Sequence, residues 1–361
     1  MKRAPVFCLC VALLLALAAA QLILPDREVS PLENRVLSQA PKVSADAVLS
    51  GDWGEALERY TADQLPLRDS FVSLYTLMEG AAGRRLSGGV LLGADDRLFD
   101  RSDGWSERNV RQNAAALTEL GEQAQKKVWL LCVPSAVAVY PEALPALAPV
   151  ADEEALLRAA GEETALIGLL PLLQSRKEGE ALYYRTDHHW TAAGADFGYE
   201  AICGALGISP REAGTADVVP GFYGSFYARY PLPWLSADEL TYQFPAGLRL
   251  LADGTERALV DETALAGRDK YAALLSGNHA RLELLNPDGP EGELLVIKDS
   301  YANALLPLLA RHYRRIVAVD ARYFAGDIVE EAKAFDGEDI VCVYGMSTLA
   351  TGRTIALLEG L

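Results

Sequence analysis

Apolar and polar positions follow two rhythms along this chain of 361 residues. Val128–Val133, Leu294–Ile297, Ile316–Val319 and Ile340–Val343 are short, continuously apolar and rich in β-branched residues. They predict strands buried on both faces. Helical spacing fills Trp105–Lys127, most of Glu153–Arg176, and Thr191–Leu206. Ala181–Tyr184 predicts a strand end. Strands alternating with helices predict an α/β fold whose mostly parallel sheet is covered on both faces. Residues 214–290 interrupt the alternation with a Gly-, Pro- and aromatic-rich insertion.

Upstream the rhythm is different. Asp52–Arg85 has helical spacing, with Leu57, Tyr60, Leu65, Phe71, Leu74 and Met78 on its apolar face, and Pro66 should bend or split it. Gly88–Phe99 predicts a hairpin that turns through Gly93-Ala94-Asp95-Asp96. Pro25 to Ser50 is polar, punctuated by proline and without period, and reads as a linker. Before it, Lys2-Arg3 precede an apolar run from Ala4 to Leu24 broken only by Gln21. Cations ahead of such a run predict a secretory signal or a membrane anchor. Ala18-Ala19-Ala20 offers a cleavage site, and about 20 apolar residues also suffice to span a bilayer. Either outcome places the remainder outside the cytoplasm. The predicted organisation is a signal or anchor at 1–24, a linker and helical segment at 25–90, and an α/β domain at 91–361 carrying the insertion.

Charge narrows the partners. Thirty-three basic residues against 50 acidic ones give a formal net charge of −17. That balance, with no cluster of Lys and Arg, argues against nucleic acid and makes a polyanionic substrate awkward unless its cleft is locally basic. Cysteine adds little: Cys8 and Cys10 lie in the apolar run, and Cys132, Cys203 and Cys342 are too widely spaced for a zinc site or a disulfide framework.

The chemistry concentrates in two stretches. Two of the four histidines sit in Asp187-His188-His189-Trp190. In extended backbone Asp187 and His189 share a side, so the carboxylate can accept the Nδ1 proton and leave Nε2 as a base. His188 should then face away and serve structure. A metal site would need three or four converging ligands, which adjacent histidines in extended chain do not supply. The matching nucleophile is Ser300, at the end of an apolar strand and the start of a helix. There its own N–H and that of Tyr301 could hold an oxyanion, and Asn303 could add a side-chain donor. Taken alone, Ser300 reads first as a helix N-cap, and the Asp187/His189 stretch reverses that order. Asp299 is a rival to Asp187 for orienting the base. Trp190 either packs the loop or floors a sugar subsite. Arg185 and Arg322 either counter a substrate charge or make structural ion pairs. Phe222, Tyr223, Phe226, Tyr227, Tyr230, Trp234, Tyr242 and Phe244 in the insertion are either a small core or a stacking surface, burial being favoured.

With these stretches in view the chain resembles the DHHW protein family, named for the tetrapeptide at 187–190. Glu33-Asn34-Arg35, Asp63-Gln64-Leu65-Pro66-Leu67-Arg68-Asp69, Val139–Pro145 and Asp299–Asn303 are similar to further stretches of that family. The family is similar in turn to periplasmic alginate O-acetyltransferases, whose catalytic domain resembles SGNH hydrolases. The resemblance implies an α/β/α sandwich in which the Asp-x-His pair, Asp187 and His189, precedes the nucleophile Ser300. It also implies a polysaccharide or other carbohydrate acceptor, an acyl-donor membrane protein as partner, and neither cofactor nor metal. Two positions depart from the pattern. Lys298 replaces the glycine of a Gly-x-Ser block, and Ser135-Ala136 follow Pro134 where the family more often has a lysine.

The expectation is therefore an extracytoplasmic serine-dependent O-acetyltransferase or acetylesterase acting on cell-envelope or extracellular polysaccharide. Its rival is a non-catalytic polysaccharide-binding or assembly protein with the same fold. A hydrogen bond from Ser300 to His189 in an open cleft separates the two.

Overall fold

The computed structural model describes residues 4–212, 214–352 and 355. Lys2 and Arg3, the cations ahead of the apolar run, lie outside them. The chain divides into two compact units, 1–84 with 228–235, and 85–227 with 236–361.

In the first unit, α1 (Ala4–Ile23) is a single helix long and apolar enough to cross a membrane. The segment expected to be a linker holds a short β-ladder, Val29–Ser30 against Arg35–Val36, and a helix over Ala45–Ser50 capped by Ser44. These elements are too brief to leave a period. Two helices follow, α2 (Asp52–Asp63) and α3 (Arg68–Ala81), and Pro66 lies in the break between them. The ladder is tied to these helices by charge. Arg35 Nη1 donates to Asp63 Oδ2 at 2.9 Å, Arg68 pairs with Glu33, and Arg27 meets Asp69 at 3.0 Å. Gln64 Nε2 donates to the Ser38 carbonyl at 3.0 Å. Glu33-Asn34-Arg35 and the 63–69 stretch are thus two halves of one ion-paired joint.

The second unit is built on a seven-stranded sheet. Its strands are β1 (Lys127–Val133), β2 (Arg249–Ala252), β3 (Thr255–Arg257), β4 (Arg281–Leu285), β5 (Glu293–Lys298), β6 (Arg315–Val319) and β7 (Asp339–Gly345), in the order β3-β2-β4-β6-β5-β7-β1. β6, β5, β7 and β1 run parallel and include all four apolar runs read as strands, while Ala181–Tyr184, read as a strand end, makes only a single bridge from Tyr183 to Trp190. β2, β3 and β4 come from the insertion and extend the sheet antiparallel beyond β6. The insertion thus adds strands to the main sheet, and the sheet is mixed. A second ladder within it pairs Asp217–Phe222 with Asp238–Tyr242.

Period two decides which side chains face which layer. Leu294, Val296, Val341 and Val343 pack with α4 (Ala192–Leu206) and α5 (Ala302–Leu309). Leu295, Ile297, Ile340 and Cys342 pack on the other face with residues Val110–Ala124 of the helix over Glu107–Ala124. The result is an α/β/α sandwich. The predicted hairpin is present, with Val90–Leu92 paired to Leu98–Asp100.

Candidate active site

Parallel strands that end together leave their carboxyl ends open to a ligand. β5 ends at Lys298, and Asp299 shapes the turn that follows. Its Oδ1 accepts the Tyr301 N–H at 3.0 Å, and its Oδ2 accepts the Gly345 N–H at 2.8 Å and the Thr348 hydroxyl at 2.7 Å. Asp299 therefore clips the end of β5 to that of β7 and does not orient the base. The Tyr301 N–H, read from the sequence as an oxyanion donor, is spent on this clip. The Ser300 N–H has no partner among the described residues.

His189 lies on a bend. Tyr183 and Trp190 bridge to each other, and residues 185–189 turn between them. Asp238 holds the bend, accepting the Arg185 N–H at 3.1 Å, the Thr186 N–H at 2.8 Å and the Thr186 hydroxyl at 2.6 Å. His189 Nε2 is 2.8 Å from Ser300 Oγ, and His189 Nδ1 is 2.6 Å from Asp187 Oδ1. Asp187 Oδ1 also accepts the His189 N–H at 2.9 Å, while Oδ2 accepts the Ser225 N–H at 2.7 Å. The carboxylate is buried and accepts three hydrogen bonds. A Cβ on Gly224 would lie 2.3 Å from its Oδ2, so only glycine fits there.

Electrostatics follow from this packing. Burial alone would raise the Asp187 pKa, but the two neighbouring imidazoles outweigh it and hold the carboxyl well below its usual range. Burial lowers His189, the charge of His188 lowers it further, and Asp187 opposes both; the outcome is a pKa of about 4. His189 is thus neutral at neutral pH, as a general base must be.

His188 does not face away. Because the backbone bends, its ring comes to 3.8 Å from that of His189, and Nδ1 lies 2.7 Å from Ser225 Oγ. Donor atoms of Asp187, His188 and His189 fall within 4.8 Å of one another, closer than extended chain allows. Each residue is already engaged through hydrogen bonds within the site.

The remaining candidates divide by exposure. Trp190 is fully buried, with Nε1 donating to the Tyr301 carbonyl at 3.0 Å, so it supports the serine turn and cannot floor a sugar subsite. Tyr301 is buried and its hydroxyl donates to the His188 carbonyl at 2.7 Å. Asn303 sits in a buried chain: Lys298 Nζ donates to its Oδ1 at 2.6 Å and its Nδ2 donates to Asn278 at 3.2 Å. Burial brings the Lys298 pKa down to about 8 against the pull of Asp320 and Asp299. Arg322 grips Asp320 with two bonds of 2.8 and 2.6 Å, and its charge adds to the lowering of His189. Arg185 lies 3.6 Å from Asp238 and lines a cleft of about 680 Å³ whose lining includes none of Ser300, His189 and Asp187. Of the insertion's aromatics, Phe222, Phe226, Tyr227 and Tyr230 are buried, and Trp234 is exposed.

Several residues at the site carry no signal in the sequence. Tyr271 stacks on the His189 ring at 3.7 Å and 11°, and its hydroxyl donates to the Ser300 carbonyl at 3.0 Å. Ser225, Gly224 and Asp238 reach the Asp187 bend from 37 or more residues downstream.

Residues 90–218 match the "SGNH hydrolase-like domain, acetyltransferase AlgX" family model, so the class this mixed-sheet sandwich resembles is the SGNH-hydrolase-like one. Within that class the chain resembles the DHHW family: the signature stands at 187–190, and the DHHW protein model matches residues 165–319. A DHHW family protein from Eubacterium siraeum superposes with a TM-score of 0.67 at 20% identity, covering 76% of this chain and 97% of that one. PatB1 of Bacillus cereus superposes at 0.61 and 20% identity, covering 73% and 98%. Both likenesses are of fold. A probable alginate O-acetylase AlgJ of Pseudomonas fluorescens is 29% identical over 167 residues, 42% of each chain. That of Pseudomonas syringae pv. tomato is 26% identical over 171 residues, 44% of each. The match thus spans less than half the length of these curated relatives.

Proposed function

We propose that this protein is an extracytoplasmic, serine-dependent O-acyltransferase or esterase, acetyl being the favoured acyl group and a polysaccharide hydroxyl the favoured acceptor. The observation that carries the proposal is the run of two hydrogen bonds, Ser300 Oγ to His189 Nε2 at 2.8 Å and His189 Nδ1 to Asp187 Oδ1 at 2.6 Å. The names of the curated relatives supply the acetyl group and the polysaccharide. The apolar α1 supports a location outside the cytoplasm, as signal or anchor.

In the proposed reaction Ser300 Oγ attacks the acyl carbonyl while its proton passes to His189 Nε2. The free Ser300 N–H, just before α5, faces the developing oxyanion. The leaving oxygen takes the proton from His189 as the ester bond breaks, leaving acyl-Ser300. A sugar hydroxyl or water then gives its proton to His189, attacks the acyl carbon, and returns Ser300 with its proton. Asp187 holds the imidazole in the tautomer this sequence requires.

The test is turnover of an aryl acetate, with and without an added polysaccharide acceptor, by the wild type, Ser300→Ala and His189→Ala. Loss of acetate release in both variants supports the proposal. Release that survives in both refutes serine dependence, and inertness of all three with retained glycan binding favours the binding-protein alternative.

A further inference from the structure

The second imidazole of the signature has no part in the relay, yet it is built into it. His188 Nδ1 contacts Ser225 Oγ at 2.7 Å, the Ser225 N–H donates to Asp187 Oδ2 at 2.7 Å, and Asp187 Oδ1 holds His189 at 2.6 Å. The two rings, 3.8 Å apart, close this circuit. Tyr301 fixes the His188 backbone through its carbonyl, and the Tyr301 and Phe226 rings pack near the His188 ring at 5.8 and 6.1 Å. The His188 side chain keeps 34% of its surface in solvent, against 7% for His189.

Resting on the acyl-transfer reading above, we infer that His188 is a positioning residue for the base: held by Ser225, it packs against the His189 ring and carries the pair's proton, so that His189 Nε2 stays free to accept from Ser300.

The surroundings favour a proton on His188. Two imidazolium ions 3.8 Å apart repel, so the pair carries one charge readily and a second only at lower pH. His188 is the better solvated ring. On its own segment it has Asp187, with Nδ1 3.6 Å from Oδ1. From the serine turn it feels Asp299, and from the 269–271 segment Asp269, both of which favour its charged form. His189 has Asp187 closer still, at 2.6 Å, but it is the more deeply buried ring, feels the cation Arg322 and stacks on neutral Tyr271. Burial lowers His188 too, but these carboxylates outweigh it and raise its pKa, while that of His189 falls.

The test is a pH titration of the histidine ring Cε1–H signals in the full chain in detergent micelles, assigned with single His→Gln variants. His188 should titrate at higher pH than His189. In His188→Phe, which keeps an aromatic ring but no charge, the His189 midpoint should rise by about one pH unit. The acid limb of aryl-acetate turnover should move with it. Ser225→Ala serves if His188→Phe fails to fold, and there the His188 midpoint should fall. A reversed order of titration, or an unmoved His189 midpoint in His188→Phe, overturns the inference; where Ser225→Ala stands in, an unmoved His188 midpoint does so. Midpoints that shift as expected in a protein with no turnover would support the paired imidazoles and count against acyl transfer, so the two failures are distinct.

Discussion

Gly224→Ala places one methyl group against the Asp187 carboxylate that holds the proposed base, His189. The added Cβ would lie 2.3 Å from both Cβ and Oδ2 of Asp187. Carbon contacts are comfortable at about 3.5–4.0 Å, so one partner must retreat by more than about 1 Å. Asp187 has nowhere to go: it is 1% exposed and its oxygens accept from Ser225, from the His189 backbone and from the His189 ring. The displacement therefore reaches His189 Nε2 and its 2.8 Å contact with Ser300. A misplacement of about 1 Å costs roughly 10²-fold in rate, or about 2.7 kcal/mol of barrier. The assay is kcat for an aryl acetate, with near-UV circular dichroism and a melting curve to establish that the variant folds. A folded Gly224→Ala protein within threefold of wild-type kcat would refute the reasoning, because the crowding would then have been absorbed without moving the base.

Two further outcomes follow from the packing. Glu153 is buried and accepts the N–H and hydroxyl of Ser135, both at 2.6 Å, yet burial outweighs these bonds and its pKa rises from 4.5 to about 7. A carboxyl whose folded pKa is raised binds its proton more tightly in the native state, so stability falls as pH rises from about 4.5 to 7. Urea denaturation of Glu153→Gln should match wild type near pH 5 and exceed it near pH 8, by at most roughly 3 kcal/mol; equal profiles at both pH values would contradict this. In Gly198→Ala the new Cβ would meet the buried Trp190 ring at 2.7 Å, so the variant should lose about 1–3 kcal/mol in the same assay despite alanine's better helix propensity.

Legibility in the sequence followed the strength of local pattern. β1, β5, β6 and β7 are buried on both faces, and such strands write short continuous apolar runs rich in β-branched residues. Asp187, His189 and Ser300 were readable because each is a reactive residue type at an informative place, and the structure brings their side chains within hydrogen-bonding distance. The bend through 185–189 was not readable. It is imposed by Asp238, about fifty residues away, and it turns His188 toward His189 where simple alternation sends it outward. Tyr271 and Gly224 were hidden for the same reason: their roles lie in what they meet across the fold, and nothing in their neighbours announces it. The strands of the insertion were missed because β3 is wholly exposed and β2 and β4 alternate buried with partly exposed positions, so none writes a continuous apolar run.

That insertion bears on how this domain can be re-engineered. Gly224 and Ser225 seat the Asp187 carboxylate, Asp238 folds the bend, and Tyr271 lies flat on the base, and all four belong to residues 214–290. The segment is not a detachable cap that could be traded to change acceptor preference while the chemistry stays behind. A chimera that replaced it whole would lose the walls of its own base. Exchanges confined to residues outside 222–227, 238 and 269–271 would leave those walls standing, and are where altered selectivity can be sought.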